Sequence, residues 1–160
     1  MKLVLFPSNI LRERMPDFNF DTPIVDPKQL EKDMINFMLE SNAIGLAANQ
    51  VGIKTRMFVM GHKSNPDLCK GFFNPMVISS TREILDLEEG CLSFPNIFVK
   101  IKRPSAIQAK WQNSSGAWEE GTFNGYDCKC FLHELDHLEG IVYKDRISNL
   151  KWNLAIKRKN

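Results

Sequence analysis

From Tyr126 to Glu139 the sequence YDCKCFLHELDHLE has a helical period, and its two faces differ in kind. At about 100° per residue, with His133 at the origin, Tyr126 falls at about 20°, His137 at about 40°, Cys130 at about 60° and Glu134 at about 100°. Phe131, Leu135, Cys128 and Leu132 fall between about 160° and 260°. A helix with an apolar back and a polar, reactive front must have its back covered by other layers, so this segment predicts a helix that other elements pack around. Gly140 follows directly as the expected C-terminal stop.

The rest of the chain supplies strands for those layers. Asp26-Pro27 reads as an N-cap followed by proline at the first helical position. Beyond it Leu30, Met34, Phe37 and Met38 line one face of a helix running to about Ser41 or Asn42. After the small-residue stretch AIGLAANQVG, the segments RMFVM, GFFNPMVISS, REILDL, FVKIKRP, AIQAKWQN and AWEEGTFNG read as β, with EEGCLSFP as a bend around Cys91 and NSSG as a turn. A short tail helix from Ser148 is expected to turn Leu150, Leu154 and Ala155 inward. Helix, strands, then helix, without βαβ alternation, predicts an α+β fold: mixed or antiparallel sheets around a central helix, in one domain over 1–160.

Composition narrows the function classes. The net charge of +2 is too balanced for a whole-surface nucleic-acid binder, so no DNA partner is expected. No apolar run reaches the roughly eighteen residues of a membrane span, and Pro7 interrupts the short apolar start, so neither a membrane partner nor a signal peptide is expected. A soluble, cytoplasmic monomer is the expectation, and its four cysteines need form no disulfide. The charge is uneven: Lys144 to Asn160 carries +5 and residues 1–143 carry −3. The basic tail, 148–160 in particular, is either a solvated terminus or a weak contact with RNA or another anionic surface, such as the ribosome.

His133-Glu134-Leu135-Asp136-His137 places two imidazoles at i and i+4, one above the other, where both can reach a single metal ion. A catalytic site usually takes three protein ligands and leaves a position for water, so a third donor is needed from elsewhere. Cys128 lies about 140° from His133 on the same helix and cannot join it, and Cys130 is better placed as a pocket wall. Cys91 is free to approach from a different segment. His62 and Cys69 read as bystanders.

With AIGLAANQ at 43–50, EGCLS at 89–93 and HELDH at 133–137 followed by Leu138-Glu139-Gly140, the chain resembles the peptide deformylases. These are metalloenzymes that remove the formyl group from nascent N-formylmethionyl chains. Leu11-Arg12 and Arg103 extend the resemblance over nearly the whole length. Ala43 stands where the family usually has glycine, and Leu132 where a glutamine often precedes the first histidine. The tail is shorter than the helix many bacterial members carry.

The resemblance implies Cys91, His133 and His137 as metal ligands and Fe²⁺ as the ion, with Zn²⁺, Ni²⁺ or Co²⁺ able to substitute; the donor set alone would favour zinc. It implies Glu134 as general base toward the bound water and then as acid toward the departing amine. The side-chain amide of Gln50 and the backbone N–H of Leu92 are the implied oxyanion donors. Backbone groups around Gly45 are expected to pair with the extended peptide, with Ile44, Tyr126 and Cys130 forming the methionine pocket. Asp136 is expected to pair with Arg103. Two other readings compete: a zinc metallopeptidase using the same histidine pair on peptide bonds, and a metal-binding module that has lost catalysis.

Overall fold

The computed structural model describes residues 1–159. Asp26 caps helix α1 (Pro27–Glu40), its carboxylate accepting the Gln29 N–H at 2.7 Å, with Pro27 at the first position. Seven strands follow: β1 (Gly45–Ala47), β2 (Met57–His62), β3 (Asn65–Ser80), β4 (Ile84–Cys91), β5 (Phe94–Pro104), β6 (Ala106–Gln112) and β7 (Trp118–Asn124). Helices α2 (Gly125–Leu138) and α3 (Asn149–Lys159) complete the chain. One sheet has the order β1-β2-β3-β6-β7, and β4 and β5 form a separate two-stranded sheet. All pairings are antiparallel, so the α+β expectation holds in its antiparallel form.

The two-residue period of the strands separates the layers. On β2 and β3, Phe58 and Phe72 face α2, whereas Met57, Val59 and Phe73 pack with Leu30, Met34 and Met38 of α1. Covered on both faces, β2 is therefore apolar at successive positions rather than at alternate ones. The apolar back of α2 sits on this sheet: the Phe131 ring lies 5.0 Å from Phe58 and 5.5 Å from Phe72, centroid to centroid. Leu132, at the position of the expected glutamine, packs at the edge of the same cluster.

Two further features fix how α2 ends and what covers the second sheet. Gly140, at φ 72°, closes α2 with the paired bonds Ile141 N–H to Asp136 O and Gly140 N–H to His137 O, at 2.9 and 3.2 Å. A Cβ there would also lie 2.6 Å from the carbonyl oxygen of Arg12, so both the left-handed backbone and the close approach require glycine. Helix α3 forms as expected, but its inward face is different. Trp152 is buried beside Phe94 and Tyr143, with Ala155 and Ile156 against the same cluster, while Leu150 and Leu154 are exposed. The largest aromatic side chain sets the helix's rotation, because it has most area to remove from water. Among the described residues, no helix is long and apolar enough to cross a membrane.

Helix α2 is tied to the β4–β5 sheet by a buried ionic network. Arg103 on β5 donates to both carboxylate oxygens of Glu89 on β4, at 2.7 and 3.0 Å, and to Asp136 on α2 at 2.8 Å. Glu89 also accepts the His133 Nδ1–H at 2.8 Å, and Arg146 closes the far side of Asp136. The side chains of Arg103 and Glu89 are 5% and 1% exposed, so each charge depends on its partners in place of water. Burial alone would raise the Glu89 carboxyl, but hydrogen bonds from His133 and Arg103 and their charges outweigh it and hold it at about 2. A carboxylate held below its ordinary 4.5 adds stability that is complete above about pH 4.5 and is lost as pH falls toward about 2. Glu89→Gln should therefore be less stable than the native chain by about 3 kcal/mol at neutral pH. Urea denaturation of the metal-free proteins should show that gap closing below pH 4.5. A gap that stays constant with pH would count against the network.

Candidate metal centre

Cys91 and Phe94 pair across the β4–β5 turn, leaving Leu92 and Ser93 as its two turn residues. Positions two apart on a strand share a face, so Glu89 and Cys91 both turn toward α2. There the donor atoms of Cys91, His133 and His137 all lie within 4.8 Å of one another. Cys91 Sγ is 3.3 Å from His137 Nε2. His133 and His137 are buried and Cys91 is half-buried.

The supporting contacts orient these donors. Glu89 as a carboxylate can only accept, so His133 carries its proton on Nδ1 and turns Nε2 to the cluster. Burial would lower the His133 value, but its bonds to Cys91 and Glu89 outweigh this and raise it well above the ordinary range. Burial and the neighbouring His133 push His137 well below it, so His137 is a neutral imidazole. Asn49, on the short 3-10 turn after β1, donates to the backbone oxygen of His137 at 2.7 Å. One thiol and two imidazoles converging on one point, with the outer nitrogen of His133 held by a carboxylate, are a donor set that fits a divalent transition metal.

Gln50 joins from the same turn. Its Oε1 accepts the Ala47 N–H at 2.9 Å, which fixes the amide plane and aims Nε2 at Cys91 Sγ (3.4 Å) and Ser93 Oγ (3.2 Å). Glu134 is 4% exposed, and its Oε2 is buried with no protein partner. Burial pushes its carboxyl up to about 7, within the range of a proton carrier at neutral pH. A Cβ on Gly45 would sit 2.5 Å from Glu134 Oε1 and 2.8 Å from Cys130 Sγ, so glycine on β1 is what lets the carboxylate and the strand approach.

Gln50, Glu89, Cys91, His133 and Glu134 line a cavity of about 420 Å³ that also includes Ile44, Gly45, Leu92, Phe98, Lys129 and Cys130. Ile44 is exposed at its rim. Cys130 is a wall, its thiol raised far above its ordinary value by burial and therefore neutral. Tyr126 is not brought in: it is 65% exposed and lies outside the lining residues. It shares the azimuth of His133, but seven residues displace it about 10 Å along the helix axis. Asp136 faces away from the cavity onto Arg103, as expected. Cys128 is buried on the opposite side of α2, with Sγ directed at Pro104 O, and His62 and Cys69 belong to the β2–β3 hairpin.

Glu89, Asn49, Ser93 and Lys129 complete the surroundings of the site and were not among the expected residues. A signal existed for Glu89, which stands two positions before Cys91 in a strand and so shares its face. Lys129 had a signal too, one turn before His133 on the same face, whereas no sequence period marks Asn49 or Ser93, whose contacts cross between distant elements.

The comparisons with known proteins agree along the whole chain. The family model described as polypeptide deformylase matches residues 1–153. The chain is 40% identical over 159 residues to a peptide deformylase of Thermotoga maritima, covering 99% of this chain and 93% of that protein. In three dimensions it is similar to a peptide deformylase from Synechococcus elongatus in complex with actinonin: TM-score 0.89, 26% identity, 99% of this chain and 85% of that one. It is also similar to the Met-Ala-Ser-bound class I type b peptide deformylase of Acinetobacter baumannii: TM-score 0.83, 27% identity, 92% and 98% of the two chains. With the family model spanning all seven strands and the whole of α2, this chain belongs to the polypeptide deformylase family.

Proposed function

We propose that this protein removes the formyl group from the N-terminus of formyl-methionyl peptides, releasing formate. The observation that carries the reading is the convergence of Cys91, His133 and His137 beside Glu134, in a cavity floored by α2 and edged by β1. When bound, a divalent metal supplies Lewis-acid polarisation and makes water a nucleophile near neutral pH. We assign its ligands as Cys91, His133 and His137, and Fe²⁺ as the ion. A thiolate-ligated iron suits a reducing compartment, which supports a cytoplasmic site of action, as do the four free cysteines.

Strand β1 is hydrogen-bonded on one side only, to β2, so an extended peptide can align along its other edge beside Gly45. The methionyl side chain then enters the cavity against Ile44 and Cys130. Glu134 takes the proton of the attacking water and later delivers it to the departing amine; its burial beside Gly45 keeps bulk water from competing for that proton. The Gln50 Nε2 amide, already aimed at Cys91, and the Leu92 N–H in the β4–β5 turn receive the oxyanion. Rigid donors of this kind need no reorganisation as charge develops.

Protein purified anaerobically should release formate from formyl-Met-Ala-Ser. Glu134→Ala should lose it by about 10²-fold or more while metal analysis shows the ion retained, and Cys91→Ser should lose metal affinity. Peptide-bond cleavage without formate, or bound metal with neither activity, would overturn the reading. Gly45→Ala tests the seating of Glu134: kcat/KM should fall by about 10-fold or more, with little loss of thermal stability. Unchanged kinetics would mean that Glu134 does not act from its position against Gly45.

The second part of the proposal is a weak ribosome contact through α3. Lys151, Lys157 and Arg158 are exposed on a helix whose inner face is occupied by Trp152, so they are free to meet an anionic surface. Charge reversal at these three positions should weaken co-sedimentation with ribosomes at low salt while leaving formate release intact. Unchanged co-sedimentation would make the tail a solvated terminus.

A further inference from the structure

Lys129 is out of place by chemistry. Among the described residues lining the cavity it is the one lysine or arginine, in a lining that also includes Ile44, Gly45 and Cys130. It stands one turn before His133 on the same face of α2. Its head group, on a half-buried residue, is held by two contacts at the protein surface. It donates to the backbone oxygen of Glu88 on β4 at 3.0 Å and lies 4.6 Å above the Tyr126 ring. A hydrogen bond on one side and an aromatic face on the other hold the head group, so the four-carbon stem reaches from α2 to β4 in the wall of the cavity.

Resting on the deformylase reading above, we propose that Lys129 is a clasp across the cavity, and that its stem is the side wall that sets how large a first residue the site accepts. The stem offers methylene groups to a thioether side chain, while the ammonium is kept out of the pocket by its two anchors. Tyr126 thereby acts on the pocket without lining it: it is a positioning residue for Lys129. The arrangement matches an unbranched apolar side chain such as methionine and excludes an aromatic one that would need the space of the stem.

The test compares kcat and KM for formyl-Met-Ala-Ser and its formyl-Phe counterpart in the native protein, Lys129→Ala, Lys129→Met and Tyr126→Ala. Lys129→Ala should lose about 10-fold in kcat/KM on formyl-Met, mostly through KM, and gain on formyl-Phe, so that the Met-to-Phe preference falls by about 30-fold. Lys129→Met keeps the stem and should hold the preference within about threefold. Tyr126→Ala leaves the stem but frees the head group, and should fall between the two. A Met-to-Phe preference in Lys129→Ala within twofold of native would overturn the clasp, and so would equal losses in Lys129→Met and Lys129→Ala. If Lys129→Ala does not fold, the Tyr126→Ala preference decides alone: no change there sinks the proposal. A native protein that releases no formate from either peptide overturns the underlying reading instead, a result that no variant can mimic.

Discussion

The Arg103–Glu89 pair is the interaction on which the site depends, because it joins three elements with no other polar tie of comparable burial. Glu89 lies on β4, Arg103 on β5, and their free valences reach Asp136 and His133 on α2. The sheet of β4 and β5 brings Cys91, and α2 brings His133 and His137; without the network, the polar ties left between the two would be the Lys129 bond to Glu88 O, the Cys128 bond to Pro104 O and the Cys91–His137 contact itself. One carboxylate therefore has two duties. It neutralises a buried guanidinium, and it sets the tautomer of a histidine whose other nitrogen faces Cys91. Replacing such a network with apolar groups can preserve stability in many proteins, but here it would release the ring orientation the centre requires.

Helix α2 can bear a polar front because its back is so thoroughly apolar. Phe131 contacts Phe58, Phe72 and Phe123, and Cys128 and Leu138 fill the remaining space, so the helix is anchored before any ligand is considered. Sheet faces divide in the same way, with α1 held by Met57, Val59 and Phe73 on the opposite side. The catalytic face is thus placed by packing on elements that contribute nothing to the chemistry.

How much of this was legible in the sequence depends on the range of the interaction. Periodicity captured what one element does by itself: the apolar back of α2, the N-cap at Asp26, the stop at Gly140 and the alternating strands. It misplaced what depends on height along an axis or on a partner elsewhere. Tyr126 shares the azimuth of the histidines yet lies two turns below the cavity, and Leu150 and Leu154 share a helical stripe yet yield to Trp152, whose ring finds Phe94 and Tyr143. Glu89 was visible as a letter in EGCLS, but its role needs Arg103 from a different strand, fourteen residues away. Gln50 and Cys91 came from ordered motifs rather than from any period, since nothing local says that a 3-10 turn and a hairpin meet.

The cost of the site is concentrated in Glu134. A carboxylate with one oxygen buried and unpartnered is unfavourable in a folded protein, and its ordinary remedy is protonation or a cation. The fold answers with a raised proton affinity rather than with a lysine: Lys129, on the same helix, turns its ammonium to Glu88 and Tyr126 instead. A lysine paired with Glu134 would lower its proton affinity and remove it from the range where a general base works near neutral pH. The diversion of Lys129 therefore serves the chemistry in a second way. It keeps that lysine's charge in the wall of the pocket, while Gly45 lets β1 close over the carboxylate and keep it out of water.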